Sequence, residues 1–166
     1  MKSTGEVLGI GRTRAEALFK GLTAAGLSVP SIHSTDKIGA LISVDENDYG
    51  EIAFLAGRFY DLQISIYATS GTAATIQKMG IPVVSVANAT ESNEITDLMA
   101  QGKLNYIIYT GAVKDATVGD YTVLHRKAMQ LGIPCITSLD TANALADVMA
   151  SRFTTGNTGL VDINNM

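Results

Sequence analysis

"ISIYATSGTAATIQKMGIPVVSVA", residues 64–87, decides the fold. It opens on an apolar run, "ISIYAT" (64–69), of strand length and strand composition. A Thr-Ser-Gly-Thr turn follows, then a short helical segment, "GTAATIQKMG" (71–80). Gly80 stands as its cap, and Pro82 lies just beyond. A second apolar run, "PVVSVA" (82–87), begins there. Strand, helix and strand in succession make a crossover, and crossovers join parallel strands.

The same alternation extends both ways. Upstream, "GALISV" (39–44) reads as a buried strand, and "DYGEIAFLAGRFYDL" (48–62) as a helix with Ile52, Leu55, Phe59 and Leu62 on one face. Downstream, "SNEITDLMAQGKL" (92–104) is a helix that Ser92 can cap, followed by the strand "NYIIYT" (105–110). "YTVLHRKAMQLG" (121–132), "PCITS" (134–138) and "DTANALADVMASRF" (140–153) add a helix, a strand and a last helix. The pattern predicts an α/β fold: a three-layer α/β/α open sheet of about five parallel strands, of flavodoxin or Rossmann type.

Ahead of this array, Ala15, Leu18, Leu22 and Ala25 recur at helical spacing, predicting a helix from about Thr13 to Ala25. "LSVPSIHSTDK" then lacks periodicity and reads as a linker. The helix has one apolar face and nothing ahead to cover it, which suggests that a preceding segment is missing. The tail, "TTGNTGLVDINNM", is polar, with "LVDI" as a candidate added edge strand. The expected division is 1–34, 35–154 and a tail of 155–166.

Composition narrows the function classes. Hydrophobic residues make up 46% and charged residues 17% of the 166, which predicts a globular core. No apolar run approaches the roughly 18 residues of a membrane span, and no signal peptide opens the chain. The single cysteine, Cys135, permits no internal disulfide and fits a reducing cytoplasm. A net charge of −4 without a basic run argues against nucleic acid. His33 and His125 match no metal-ligand spacing, so no metal site is expected.

Ligands of open α/β sheets bind beyond the carboxyl ends of the strands. Those ends read "DENDY", "TSGT", "NATES", "TGAVKD" and "SLD", a lining of hydroxyls, amides and glycines suited to oxygen-rich ligands. In "TSGT", Gly71 allows close backbone approach, Thr69 and Thr72 supply hydroxyls, and the helix start supplies free N–H groups. That is a way to hold phosphate without a P-loop. It is equally a way to cap a helix. The turn alone does not choose. His125 reads as a surface residue, Cys135 as a buried inert thiol, and Met79, Met99, Met129 and Met149 as core. Asp45, Glu46 and Asp48 read as a loop and helix start favoured by the macrodipole.

"STGEVLGIGRTRAEALFKG" (3–21) resembles the end of the second ATP-grasp unit in the large subunit of carbamoyl phosphate synthase. From about Ile38 to Phe153, the blocks "ALISV", "ATSGTA", "YIIYT" and "CITSLDTANAL" resemble that subunit's methylglyoxal-synthase-like regulatory domain. The resemblance implies a carboxyl-terminal fragment of an enzyme that makes carbamoyl phosphate from bicarbonate, two ATP and glutamine-derived ammonia, for arginine and pyrimidine synthesis. The ATP and Mg or Mn sites would lie upstream, leaving no catalytic residue or cofactor in this chain. Its partners would be the rest of the large subunit, the glutaminase small subunit, and a second copy through self-association. It would bind nucleotide monophosphates, with UMP inhibiting, and ornithine near the catalytic part. Thr69, Ser70, Gly71 and Thr72 take the effector-phosphate positions. Tyr49, Asn88, Thr110, Gly111 and Lys114 fall around the nucleotide, and Thr137 on the ornithine side.

The departures matter more. One family lysine that contacts phosphate is Tyr49 here, within the acidic "DENDYGE". A second aligns with Ala87, and the basic run beyond it is replaced by "NATES". Each lost charge-assisted contact is worth about 1.5–3 kcal/mol. Two together weaken binding about 10²–10⁴-fold. The remaining helix N-terminus returns only about 0.3–1 kcal/mol. Charge loss wins; Lys114 is the one cation that could partly replace the clamp, and a solvated loop lysine is the competing reading. Two other functions compete: a ligand-free oligomerisation domain of an arginine-pathway isoform, and methylglyoxal synthase itself, with Asp115 or Asp120 as base. The latter enzyme's glycine-rich aspartate segment and histidine have no match here.

Overall fold

Five short apolar runs pair into one parallel sheet in the computed structural model, which describes residues 6–27, 29, 37–111 and 118–162. The elements in chain order are α1 (Arg14–Ala24), β1 (Gly39–Ser43), α2 (Tyr49–Asp61), β2 (Ser65–Thr69), α3 (Ser70–Lys78) and β3 (Val84–Val86). They continue with α4 (Glu94–Ala100), β4 (Tyr106–Tyr109), α5 (Val118–Leu131), β5 (Cys135–Ile136) and α6 (Leu139–Ser151). A 3₁₀ turn at Glu46–Asp48 precedes α2. The chain forms two compact units, Asp36–Ala142 and a second that joins Met1–Thr35 to Asn143–Met166.

The strand order is β3-β2-β1-β4-β5, every pair parallel. The chain therefore works outward from β1 to β3, returns past β1, and works outward again to β5. Right-handed crossovers put α2 and α3 on one face and α4 and α5 on the other. Alternation along the strands serves both faces. Leu41, Ile107, Tyr109 and Val86 pack with Ile95 and Met99 of α4 and Leu124 and Ala128 of α5. The opposite residues, Ala40, Ile42, Ile66 and Ala68, are also buried, as are Ile52, Leu55 and Phe59 of α2 and Ala73 and Ile76 of α3. β1 is buried from both sides, so it shows no polar alternation. Gly39 starts it, because a Cβ there would collide with the Lys103 carbonyl oxygen.

Several boundaries differ from the sequence expectation. β3 and β5 pair only over Val84–Val86 and Cys135–Ile136, leaving Pro82 and Pro134 outside the strands. α4 covers Glu94–Ala100 rather than 92–104, since Gly102, at φ +69°, turns the chain after it. Asn93, not the expected Ser92, holds its cap position and makes no side-chain cap bond; the Ser92 hydroxyl, one residue earlier, accepts from the Glu94 amide at 3.0 Å. α5 begins at Val118, a turn earlier than expected. Leu160, Val161 and Asp162 of the "LVDI" stretch form no strand. Most of the expected linker, 28 and 30–36, lies outside the described residues.

In the other unit, Thr13 caps α1, its hydroxyl accepting from the Glu16 amide at 3.2 Å. Glu16 is buried, accepts from the Arg12 amide at 2.8 Å and pairs with Lys20 at 3.0 Å. The Lys20 hydrogen bond, then the Arg12 amide, hold its carboxyl below the usual range. Lys20 also donates to the carbonyls of Ile10 at 2.8 Å and Gly159 at 2.5 Å. Cβ atoms on Gly9 and Gly11 would each lie 2.6 Å from backbone nitrogens of α1, at Gly21 and Ala17. The "GIG" spacing thus lays a bare backbone against the helix. Leu18 and Leu22 of the expected apolar face line, with Val7 and Ala25, an apolar groove of about 440 Å³.

Candidate functional site

Sheet order reverses between β1 and β4, and the crevice at such a reversal is where these folds take ligands. Beyond the carboxyl ends of those strands the chain gathers two neighbouring features: the Thr69–Thr72 turn and an acidic cleft.

Thr69 occupies the cap position of α3, yet it makes no side-chain cap bond. Its hydroxyl instead donates to Ser43 Oγ at 2.9 Å, at the end of β1. Thr72 is 1% exposed, and its oxygen accepts from the Val44 amide at 3.1 Å. Neither hydroxyl serves the helix end. Both fasten the turn to β1, a pairing across more than twenty residues that local sequence rules do not reach. Ser70 and Gly71 remain exposed at the start of α3.

Tyr49, the first residue of α2, reaches this turn. Its hydroxyl hydrogen-bonds Thr72, and a Cβ on Gly71 would collide with its oxygen and come within 3.5 Å of Cζ. Burial, then the charges of Glu46 and Asp45, push the phenol's pKa up, against the opposing hydrogen bond from Thr72. The phenol is held neutral among carboxylates.

Thr110 ends β4. Its hydroxyl accepts from the Asp45 amide at 2.8 Å and donates to an Asp48 carboxylate oxygen. Gly111, at φ +79°, sits with its α-carbon against Asp45; a Cβ there would lie 3.2 Å from Oδ2. Asp45 also accepts from the Asn47 amide at 3.0 Å, closing the 3₁₀ turn. Thr110 and Thr137 come together in a cleft of about 290 Å³ with Asp48, Glu51, Ser138, Leu139 and Asp140. The described lining holds three carboxylates and no lysine or arginine, so it favours a cation. Among the described residues no three His, Cys, Asp or Glu side chains converge as a metal-ligand set.

Asn88 follows β3, whose Val86 pairs with Thr69. Its side chain donates to Glu91 at 3.2 Å and its carbonyl accepts the Glu91 and Ser92 amides, closing its own loop. That loop is tied to α5, where Asp120 accepts from the amide and hydroxyl of Thr90 at 2.8 and 2.7 Å. At Ala87 the backbone amide donates to the Glu94 carboxylate at 3.1 Å. A carboxylate therefore bonds the main chain of the residue that the resemblance aligns with a lysine. Lys114, Asp115 and His33 lie outside the described residues.

Sequence reasoning missed Ser43, Glu94 and the reach of Tyr49, and it took Asp48 for a plain helix start. Only the run "DENDY" directly after β1 hinted that carboxylates would crowd the strand ends. His125, a surface residue by its sequence context, is half-buried, and its ring stacks on Tyr121 at 5.3 Å. Cys135 is half-buried, and burial pushes its thiol up to about 11, which keeps it unreactive. Among the described residues no helix is long and apolar enough to cross a membrane. Residues 51–137 match the sequence profile of the family described as MGS-like domain.

Proposed function

The chain belongs to the MGS-like domain family, and from that premise we propose that it is the allosteric effector-binding domain of a carbamoyl phosphate synthase large subunit, with weakened mononucleotide binding. The family is consistent with such a domain, and the "STGEVLGIGRT" segment ahead of it favours that parent over a free-standing enzyme. The parent reaction, its glutaminase partner and its ATP chemistry belong to the same proposal.

The observation that carries the weakened binding is the charge at the two lysine positions. Tyr49 fills one beside Asp45 and Glu46, and the Glu94 carboxylate bonds the backbone at the other. A phosphate dianion on the turn would meet repulsion where charge-assisted bonds of about 1.5–3 kcal/mol each are needed. The acidic cleft, by contrast, keeps a lining that suits an amine such as ornithine, with Thr137 on its wall.

Calorimetric titration of UMP, IMP and ornithine into the chain tests this. Millimolar or weaker mononucleotide binding is expected. Micromolar UMP binding would overturn the weakened-sensor reading, and its loss in Lys114→Ala would show that the cation had moved rather than vanished.

A further inference from the structure

The glycine of the "TSGT" turn has an occupant of its own. A side chain on Gly71 would run into the Tyr49 hydroxyl, so glycine at 71 is what lets the phenol settle over the first turn of α3. The Thr72 oxygen accepts from the Val44 amide, and the same hydroxyl is the hydrogen-bond partner of Tyr49 Oη. The phenol oxygen thus engages the Thr72 hydroxyl and lies against Gly71. An anionic oxygen held by this turn would do the same. Thr69 is directed to Ser43, so the second hydroxyl is engaged as well.

We infer that Tyr49 is an internal gate on the Thr69–Thr72 turn, whose phenol oxygen takes the seat a phosphate oxygen would need. This rests on reading the turn as a phosphate cradle. An anion enters only when the ring swings off Gly71, and Tyr49 thereby sets which ligands the site admits. The substitution does more than delete a cation; it supplies a neutral competitor. Asp45 and Glu46, whose charges reach the phenol, favour the closed state by repelling the incoming anion.

Two measurements on the full chain test the gate. The first needs no ligand: Gly71→Ala is introduced alone and in a Tyr49→Ala background, and thermal unfolding is compared. A clear loss in the first background and little in the second shows that the ring sits on Gly71; equal losses overturn the gate. The second titrates inorganic phosphate, followed by ³¹P NMR, into the native chain and Tyr49→Ala, with Tyr49→Ser substituted if the alanine variant is unfolded by circular dichroism. The gate predicts binding about five- to tenfold tighter once the ring is gone, the weight of one hydrogen bond. Equal binding to both forms overturns the gate but leaves the cradle standing. No binding to either form overturns the cradle, and the gate with it.

Discussion

Replacing Thr72 with valine removes one oxygen and changes almost no volume, yet it should unfold the chain measurably earlier. Thr72 is 1% exposed, and its Oγ1 takes the amide of Val44, itself 8% exposed just past the end of β1. Valine leaves that N–H buried with its acceptor gone, a loss of about 1–3 kcal/mol. The bond to Tyr49 disappears as well, adding about 0.5–1.5 kcal/mol. For a chain of this length each kcal/mol lowers Tm by about 2–4 °C, so a central fall of roughly 9 °C is expected. Differential scanning calorimetry without any ligand measures it. Thr72→Ser, which keeps the hydroxyl, should lose less than half as much. Thr75→Val is the control: its hydroxyl bonds the Gly71 carbonyl on the exposed side of the same helix and should change Tm by no more than about 1–2 °C. A Thr72→Val melting point within 1 °C of the native chain would refute the reasoning, because the hydroxyl would then be idle until a ligand arrives.

Gly39→Ala should destabilise by about 1–3 kcal/mol in urea titrations, because the new methyl meets the Lys103 backbone and stands 3.4 Å from the Tyr67 ring; an unchanged midpoint would mean that the turn before β4 yields freely. Burial raises Cys135 to about 11 and raises the Tyr106 phenol too. Their stabilising contribution is therefore whole below about pH 9 and drains away as pH climbs toward 11. Melting curves should steepen downward across that window and less so in Cys135→Ala; identical slopes would contradict the assignment. At pH 8 the native thiol should react with a disulfide reagent far more slowly than the denatured chain. No methylglyoxal should form from dihydroxyacetone phosphate, since Asp120 is held by Thr90; turnover above background that Asp120→Asn abolishes would restore the enzymatic reading.

Much of the architecture could be read from one dimension, and the reasons are local. The alternation of apolar runs with helical periods forces crossovers, and crossovers force parallel pairing, so five parallel strands followed directly. Strand ends did not. Pro82 and Pro134 open runs that look like strands, but a residue without an N–H cannot donate to a ladder: Pro134 only accepts, from the Ile107 amide at 3.0 Å, and paired residues begin at Val84 and Cys135. The site was legible as a set of strand ends and illegible as a set of contacts. Thr69 and Thr72 read as caps or ligands in the sequence, and their hydroxyls bond Ser43, the last residue of β1, and Val44 just past it. Tyr49 could be seen as a missing lysine; that its ring lies on Gly71 depends on how α2 and α3 pack, which no spacing rule encodes.

The brevity of the outer strands has a consequence for how this sheet meets other molecules. β3 contributes three residues and β5 only two, each approached through a proline one or two positions earlier. So few free main-chain donors and acceptors make a poor template, and an extended peptide laid along either rim would find only a few hydrogen bonds before the ladder ran out. The rims are thereby guarded against fibril-like stacking, even with Val84 half open to water on one of them.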